Sequence, residues 1–166
     1  MKEYIDILSR SQLFMSMSRK ETEAALERLS ARVRKYRRGS RIVRRGDKIS
    51  SLCVILSGNA VISRDDFWGN SSVISDLKPP MCFGLSYALA TDRTADVDVT
   101  SETDVSVMYF DTDNLLDAAP NVMIRNLIVV IADKNVMLSS KIDHISQRRL
   151  RDKVLSYLSS QRDKTG

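Results

Sequence analysis

The sequence predicts a mainly β domain with flanking helices: a double-stranded β-helix or jelly roll, followed by a long C-terminal helix. Three observations carry that prediction. Seven short alternating or β-branched runs crowd residues 31–110, with Gly39, Gly46, Gly58 and Gly69-Asn70 marking turns between them. Ahead of them, Ser18-Arg19-Lys20-Glu21 has the hydroxyl-to-carboxylate spacing of a capping box. After Pro120-Asn121 the apolar period switches to that of a helix and stays there to about Ile145. Many short strands joined by Gly turns argue for an antiparallel roll and against a parallel sheet.

The capping box starts a helix with Ala25, Leu26 and Leu29 on one face. The strand runs are Ala31–Tyr36, Arg41–Val43, Leu52–Leu56, Ala60–Ser63, Ser71–Ile74, Asp96–Thr100 and Val105–Phe110, and Pro79-Pro80 breaks a further connection. On the final long helix Ile124, Ile128, Ile131, Asn135, Leu138, Ile142 and Ile145 follow a 4-3-4-3-4-3 spacing, which is a heptad seam. At 1.5 Å per residue such a helix runs on the order of 36 Å, longer than a small roll needs to close its own core. A second stripe, Met123, Leu127 and Val130, is free to pack on the roll while the seam meets a partner chain. The expectation is a homodimer with those seven residues as its interface and with Asn135 fixing register. The alternative is a single amphipathic helix folded against its own domain. The pattern breaks near Ser146, where another helix begins with Leu150, Val154, Tyr157 and Leu158 on one face. Three parts follow: a β-roll with N-terminal helices (1–119), a dimerisation helix (120–145) and the start of a further domain (146–166).

Composition excludes several classes. Hydrophobic residues make up 43%, enough for a real core. No run approaches the ~20 apolar residues of a membrane span, and Met1-Lys2-Glu3-Tyr4 lacks the apolar core of a signal peptide. A cytoplasmic protein without membrane contact is expected. Cys53 and Cys82 are too few for a disulfide framework, and the one histidine, His144, rules out a His-rich metal site. No metal, no catalytic residues and no enzyme activity are expected, since neither a Ser-His-Asp order nor a nucleophile elbow is present. Charge is uneven. Residues 32–48 hold nine basic side chains against Asp47, within a whole-chain charge of +5. Such a cluster attracts polyanions, but strand alternation favours a solvated, outward face. Arg148, Arg149, Arg151 and Lys153 form a second cluster, open to either reading.

Several segments then line up with one family. Tyr36–Asp47 resembles the opening of the cyclic-nucleotide-binding fold, and Leu52–Val61 its strand–Gly–strand. Asp66-Phe67-Trp68-Gly69-Asn70 is similar to a hairpin of Crp/Fnr regulators from anaerobic bacteria. Phe83-Gly84 with Arg93-Thr94-Ala95 resembles the family's phosphate-binding cassette, and Arg149–Leu158 the first helix of its winged helix-turn-helix. The resemblance implies the sensor half of a catabolite-activator (Crp/Fnr) type transcription regulator, dimeric, which reaches DNA through a domain absent from this chain.

It also implies a small-molecule effector pocket, whose candidate residues are Phe83, Gly84, Leu85, Ser86, Arg93, Thr94, Met137 and Leu138. In the family, backbone N–H groups and an Arg hold the cyclic phosphate, and a Glu accepts the ribose hydroxyl. Here the residue after the glycine is Leu85, which accepts nothing. The interval from Gly84 to Arg93 is a residue short, and the long helix presents Met137 and Leu138 where the cAMP-binding member has hydroxyls. The expectation is an effector other than cAMP, of unknown identity. A more apolar molecule among Met81, Phe83, Leu85, Tyr87 and Met137 is one option, and a closed core with no ligand is the other. The rival to a DNA-binding regulator is a cyclic-nucleotide-type regulatory or docking module with no DNA role.

Overall fold

The structure, a computed structural model, describes residues 2–65 and 71–146, the last four by their backbone alone. The chain divides after Leu127 into two units. In the first, a short helix α1 (Ile5–Leu8) and a 3-10 turn (Gln12–Phe14) bury Ile5, Leu8, Leu13 and Phe14. Helix α2 (Arg19–Arg28) starts at the expected capping box. The Glu21 N–H donates to Ser18 Oγ at 3.3 Å, and the Ser18 N–H donates to Glu21 Oε2 at 2.7 Å. Two of the donors a helix start leaves open are thereby satisfied.

Eight strands follow: β1 (Arg32–Tyr36), β2 (Arg41–Val43), β3 (Ser51–Ser57), β4 (Ala60–Asp65), β5 (Ser71–Leu77), β6 (Cys82–Phe83), β7 (Asp98–Ser101) and β8 (Val105–Asp111). They form two antiparallel four-stranded sheets, in the orders β1-β8-β3-β6 and β2-β7-β4-β5. Neighbours in space are rarely neighbours in sequence, which is the jelly-roll signature. Each of the seven sequence runs became a strand. The eighth, Cys82–Phe83, is too short to show a period.

Strand β3 explains how the layers hold. Its residues alternate between faces. Cys53 and Ile55 join Val43, Ala60, Leu77, Phe83, Val99, Val105 and Val107 in the core between the sheets. Leu52, Val54 and Leu56 are also buried, on the other face, with Met108 and Phe110. Phe14 reaches that face from the N-terminal segment, its ring 5.8 Å from that of Phe110. Each such side chain contributes about 1.5–3 kcal/mol by leaving water. Gly58, at the β3–β4 turn, has φ +75°, and a Cβ there would lie 2.1 Å from the Asp104 carbonyl oxygen. No other residue fits that turn without moving it.

After β8, Asp111 caps helix α4 (Thr112–Ala118), its Oδ1 accepting the N–H groups of Asp113 and Asn114. Helix α5 spans Asn121–Ser146, as the period foretold. In the first unit it buries Met123 and Leu127 and leaves Ile124 half-buried. Asn126 Nδ2 donates to the carbonyls of Leu13 (3.0 Å) and Met15 (2.8 Å). In the second unit the expected seam residues Ile128, Ile131, Asn135, Leu138 and Ile142 are all exposed. The side chains of His144 and Ile145 lie outside the described residues, as do the Asp66–Asn70 hairpin and the Arg149–Leu158 helix start. Among the described residues no helix is long and apolar enough to cross a membrane.

Candidate functional site

The expected effector pocket centres on Gly84, which N-caps the four-residue helix α3 (Leu85–Ala88) with φ +77° and ψ −15°. A Cβ on Gly84 would sit 3.1 Å from the Ser51 carbonyl oxygen, so the strand–helix junction is built around its absence. Phe83 and Leu85, on either side, point inward and are 2% and 1% exposed. Ser86 is exposed. The sequence pattern could not distinguish Leu85 lining a pocket from Leu85 filling the core, and the burial shows core.

Arg93 has a left-handed backbone, φ +52°. Its guanidinium grips Asp113 in a two-point fork, Nη2 to Oδ1 at 2.6 Å and Nη1 to Oδ2 at 3.2 Å. The fork holds the Asp113 carboxyl below its ordinary range and raises the Arg93 guanidinium above its own. Thr94 donates its hydroxyl to the Asp92 carbonyl and accepts from Lys48 Nζ at 2.7 Å. The backbone beside it is tied back to the 46–49 turn through Ile49 N–H to Arg93 O (2.8 Å) and Ala95 N–H to Asp47 O (2.9 Å). Met137 and Leu138 stand exposed on the second unit. Nearby, Tyr87 and Arg64 both donate to the Asp96 carboxylate, lowering its pKa, the Tyr87 bond being the larger cause. Burial, and then that bond, raise the Tyr87 phenol.

Two cavities adjoin Gly84. The smaller, about 30 Å³, is apolar and lined by residues including Ile62, Phe83, Tyr87, Val97 and Val99. That is room for about two waters, far below the size of a nucleotide. The larger, about 400 Å³, shares Val43, Ile49 and Gly84 with it and is further lined by Arg32, Arg34, Tyr36, Lys48, Cys53 and Tyr109. Tyr36 and Tyr109 join hydroxyl to hydroxyl at 2.6 Å. The Arg34 guanidinium carbon lies 5.7 Å from the centre of the Tyr109 ring. Burial, then the Tyr36 hydrogen bond, push the Tyr109 phenol well up, and burial does the same to the Cys53 thiol. All nine basic side chains of residues 32–48 are exposed, as the solvated-face reading expects; what sequence reasoning missed is that Arg32, Arg34 and Lys48 also border this cavity. The signal was present in Arg32-x-Arg34-x-Tyr36, whose alternation puts three polar side chains on one face of β1. Among the described residues no group of His, Cys, Asp and Glu is placed to hold a metal ion.

Comparisons with known proteins agree with this geometry. The family model of the cyclic nucleotide-binding domain matches residues 33–120. Among solved structures, catabolite activator protein of Thermus thermophilus superposes with a TM-score of 0.73 at 20% identity, over 81% of this chain and 63% of that one. This chain therefore spans less than two thirds of that protein's length. The sensor domain of the transcriptional regulator DNR of Pseudomonas aeruginosa gives 0.69 at 15% identity, covering 90% of this chain and 97% of that one. A cAMP-binding acyltransferase of Mycobacterium smegmatis gives 0.59 at 22% identity, over 78% of this chain and 40% of that one. No curated protein matches the sequence. At these identities the superpositions speak for the fold, and the family model, covering more than half the sequence, speaks for membership. With eight strands in two sheets, a glycine-capped α3 and a long closing helix, this chain belongs to the cyclic nucleotide-binding domain family.

Proposed function

We propose that this chain is the ligand-sensing and dimerising part of a Crp/Fnr-type transcription regulator that does not respond to cAMP. The observation that carries the second half is the state of the cassette: Leu85 is buried where an acceptor for the ribose hydroxyl belongs. An unpaired buried hydroxyl costs about 1–3 kcal/mol. Arg93, the phosphate partner by resemblance, already holds the Asp113 carboxylate at two points. A cyclic phosphate would have to displace a charge already in place. In this reading the effector is a small molecule other than a cyclic nucleotide, and the protein works in the cytoplasm. DNA is bound in the full-length protein through a domain outside this chain. Isothermal titration with saturating cAMP is expected to give no binding heat; micromolar affinity would overturn the proposal.

Dimerisation rests on the exposed apolar residues Ile128, Ile131, Leu138 and Ile142 at heptad spacing. Native mass spectrometry at micromolar concentration is expected to show a dimer, and a clean monomer would remove α5 as a dimer helix. A second reading, a regulatory module with no DNA role, draws support from the same fold occurring in the cAMP-binding acyltransferase. A winged helix-turn-helix encoded downstream in the same gene would decide against it.

A further inference from the structure

We propose that the larger cavity, between β1, β8 and the 47–51 segment, is a binding site for a small organic carboxylate with a flat apolar body, adjoining the cyclic-nucleotide-type pocket at Val43, Ile49 and Gly84. The charge comes first. Arg32 and Arg34 line the cavity with no carboxylate partner among the described residues, and the Arg34 guanidinium lies over the Tyr109 ring of the same lining. Lys48, on the same lining, spends its ammonium on two neutral acceptors, the Asp92 carbonyl and the Thr94 hydroxyl. The one acid of the lining is Asp47, which accepts the Arg44 N–H at 2.8 Å. Three exposed cations against one exposed acid leave the cavity net positive, which draws an entering anion.

The walls set the class of anion. Register pairs Arg32 with Tyr109 and Cys53 with Tyr109, so the β1, β8 and β3 side chains share one sheet face. The Tyr109 ring, with Ile42, Val43 and Ile49, offers flat and apolar surface. In the Tyr36–Tyr109 pair one hydroxyl donates to the other, which leaves a single O–H still able to donate. Burial, and then the hydrogen bond with Tyr36, raise the Tyr109 phenol, so it keeps its proton through neutral pH. A carboxylate matches a guanidinium fork plus one O–H donor, and a volume of about 400 Å³ falls within the range of small-molecule sites. A bare inorganic anion would leave the apolar wall uncovered.

Benzoate tests this on the whole chain, by isothermal titration at moderate salt. The expected dissociation constant is about 1 mM or tighter. The neutral isostere benzamide and inorganic phosphate should each bind at least about tenfold more weakly. Arg34→Gln should cost at least about tenfold in benzoate affinity without shifting the melting temperature. Arg38→Gln, in the same basic run but off the cavity lining, should leave it unchanged. The proposal is overturned if benzoate does not bind up to about 10 mM. It is equally overturned if benzamide or phosphate matches benzoate, or if Arg38→Gln weakens binding as much as Arg34→Gln. The last result would mean general attraction to a basic surface and no built site.

Discussion

Gly84 borders two regions that treat their polar groups in opposite ways. Toward α3, the residues that resemble a phosphate-binding cassette are occupied from within: Leu85 packs into the core and Arg93 is clasped by Asp113. Toward β1, Arg32 and Arg34 stand without a carboxylate partner among the described residues, beside a cavity of about 400 Å³. A cassette is local in sequence, but whether it is free is decided by residues far along the chain. Asp113 lies twenty positions beyond Arg93, and nothing in the local motif announces it. The converse holds on the other side, where a basic run with no motif gathers against tyrosines contributed by β1 and β8.

Substitutions on the two sides sharpen that contrast. Leu85→Ala should have the largest effect, a loss of about 3 kcal/mol in chemical denaturation, because it leaves a hole in a packed interior. Arg34→Gln should stay within about 0.5 kcal/mol of the parent. Equal losses would erase the distinction between a filled side and an open one. Gly84→Ala tests the boundary itself. A left-handed backbone and a Cβ 3.1 Å from the Ser51 oxygen predict a loss of about 1–2 kcal/mol, measured the same way. The smallest effect belongs to the Arg93–Asp113 pair, which is largely solvated. Asp113 is lowered by Arg93, so the stability it contributes is present above the ordinary carboxylate range and lost as pH falls through the lowered value. Asp113→Asn should therefore flatten a shallow acid decline in melting temperature, while leaving neutral-pH stability nearly unchanged. Parallel declines in parent and variant would show the fork to be idle.

Most of the fold was legible because its signals are local and periodic. The Ser18–Glu21 spacing, the alternating runs and the helical period after Pro120 each report a backbone state that neighbours within a few residues enforce. What escaped was of two kinds. Cys82–Phe83 and Leu85–Ala88 are too short to carry a period and exist because β3 and Gly84 hold them. The site was harder. Choosing between Leu85 as lining and Leu85 as core, or between Arg34 as solvated face and as cavity wall, depends on which strands become neighbours. The pairing of β1 with β8, from Arg32 with Tyr109 to Tyr36 with Val105, is not written in either strand.

Strand β3 has a consequence in time as well as in space. Its run Leu52–Leu56 is buried on both faces, paired with β8 along one edge, and held on the other by β6 at Cys53 and Val54 and by the Ile55 N–H donating to the Met81 carbonyl. Such a strand has no partial way to open: releasing one edge frees neither the inter-sheet core nor the layer under Phe14. Its amides report the opening of the whole first unit, while the edge strands β1 and β5 are free to fray and reclose many times in between. The cavity sits against one of those edges, so a ligand can enter it during fluctuations that never reach the centre of the roll.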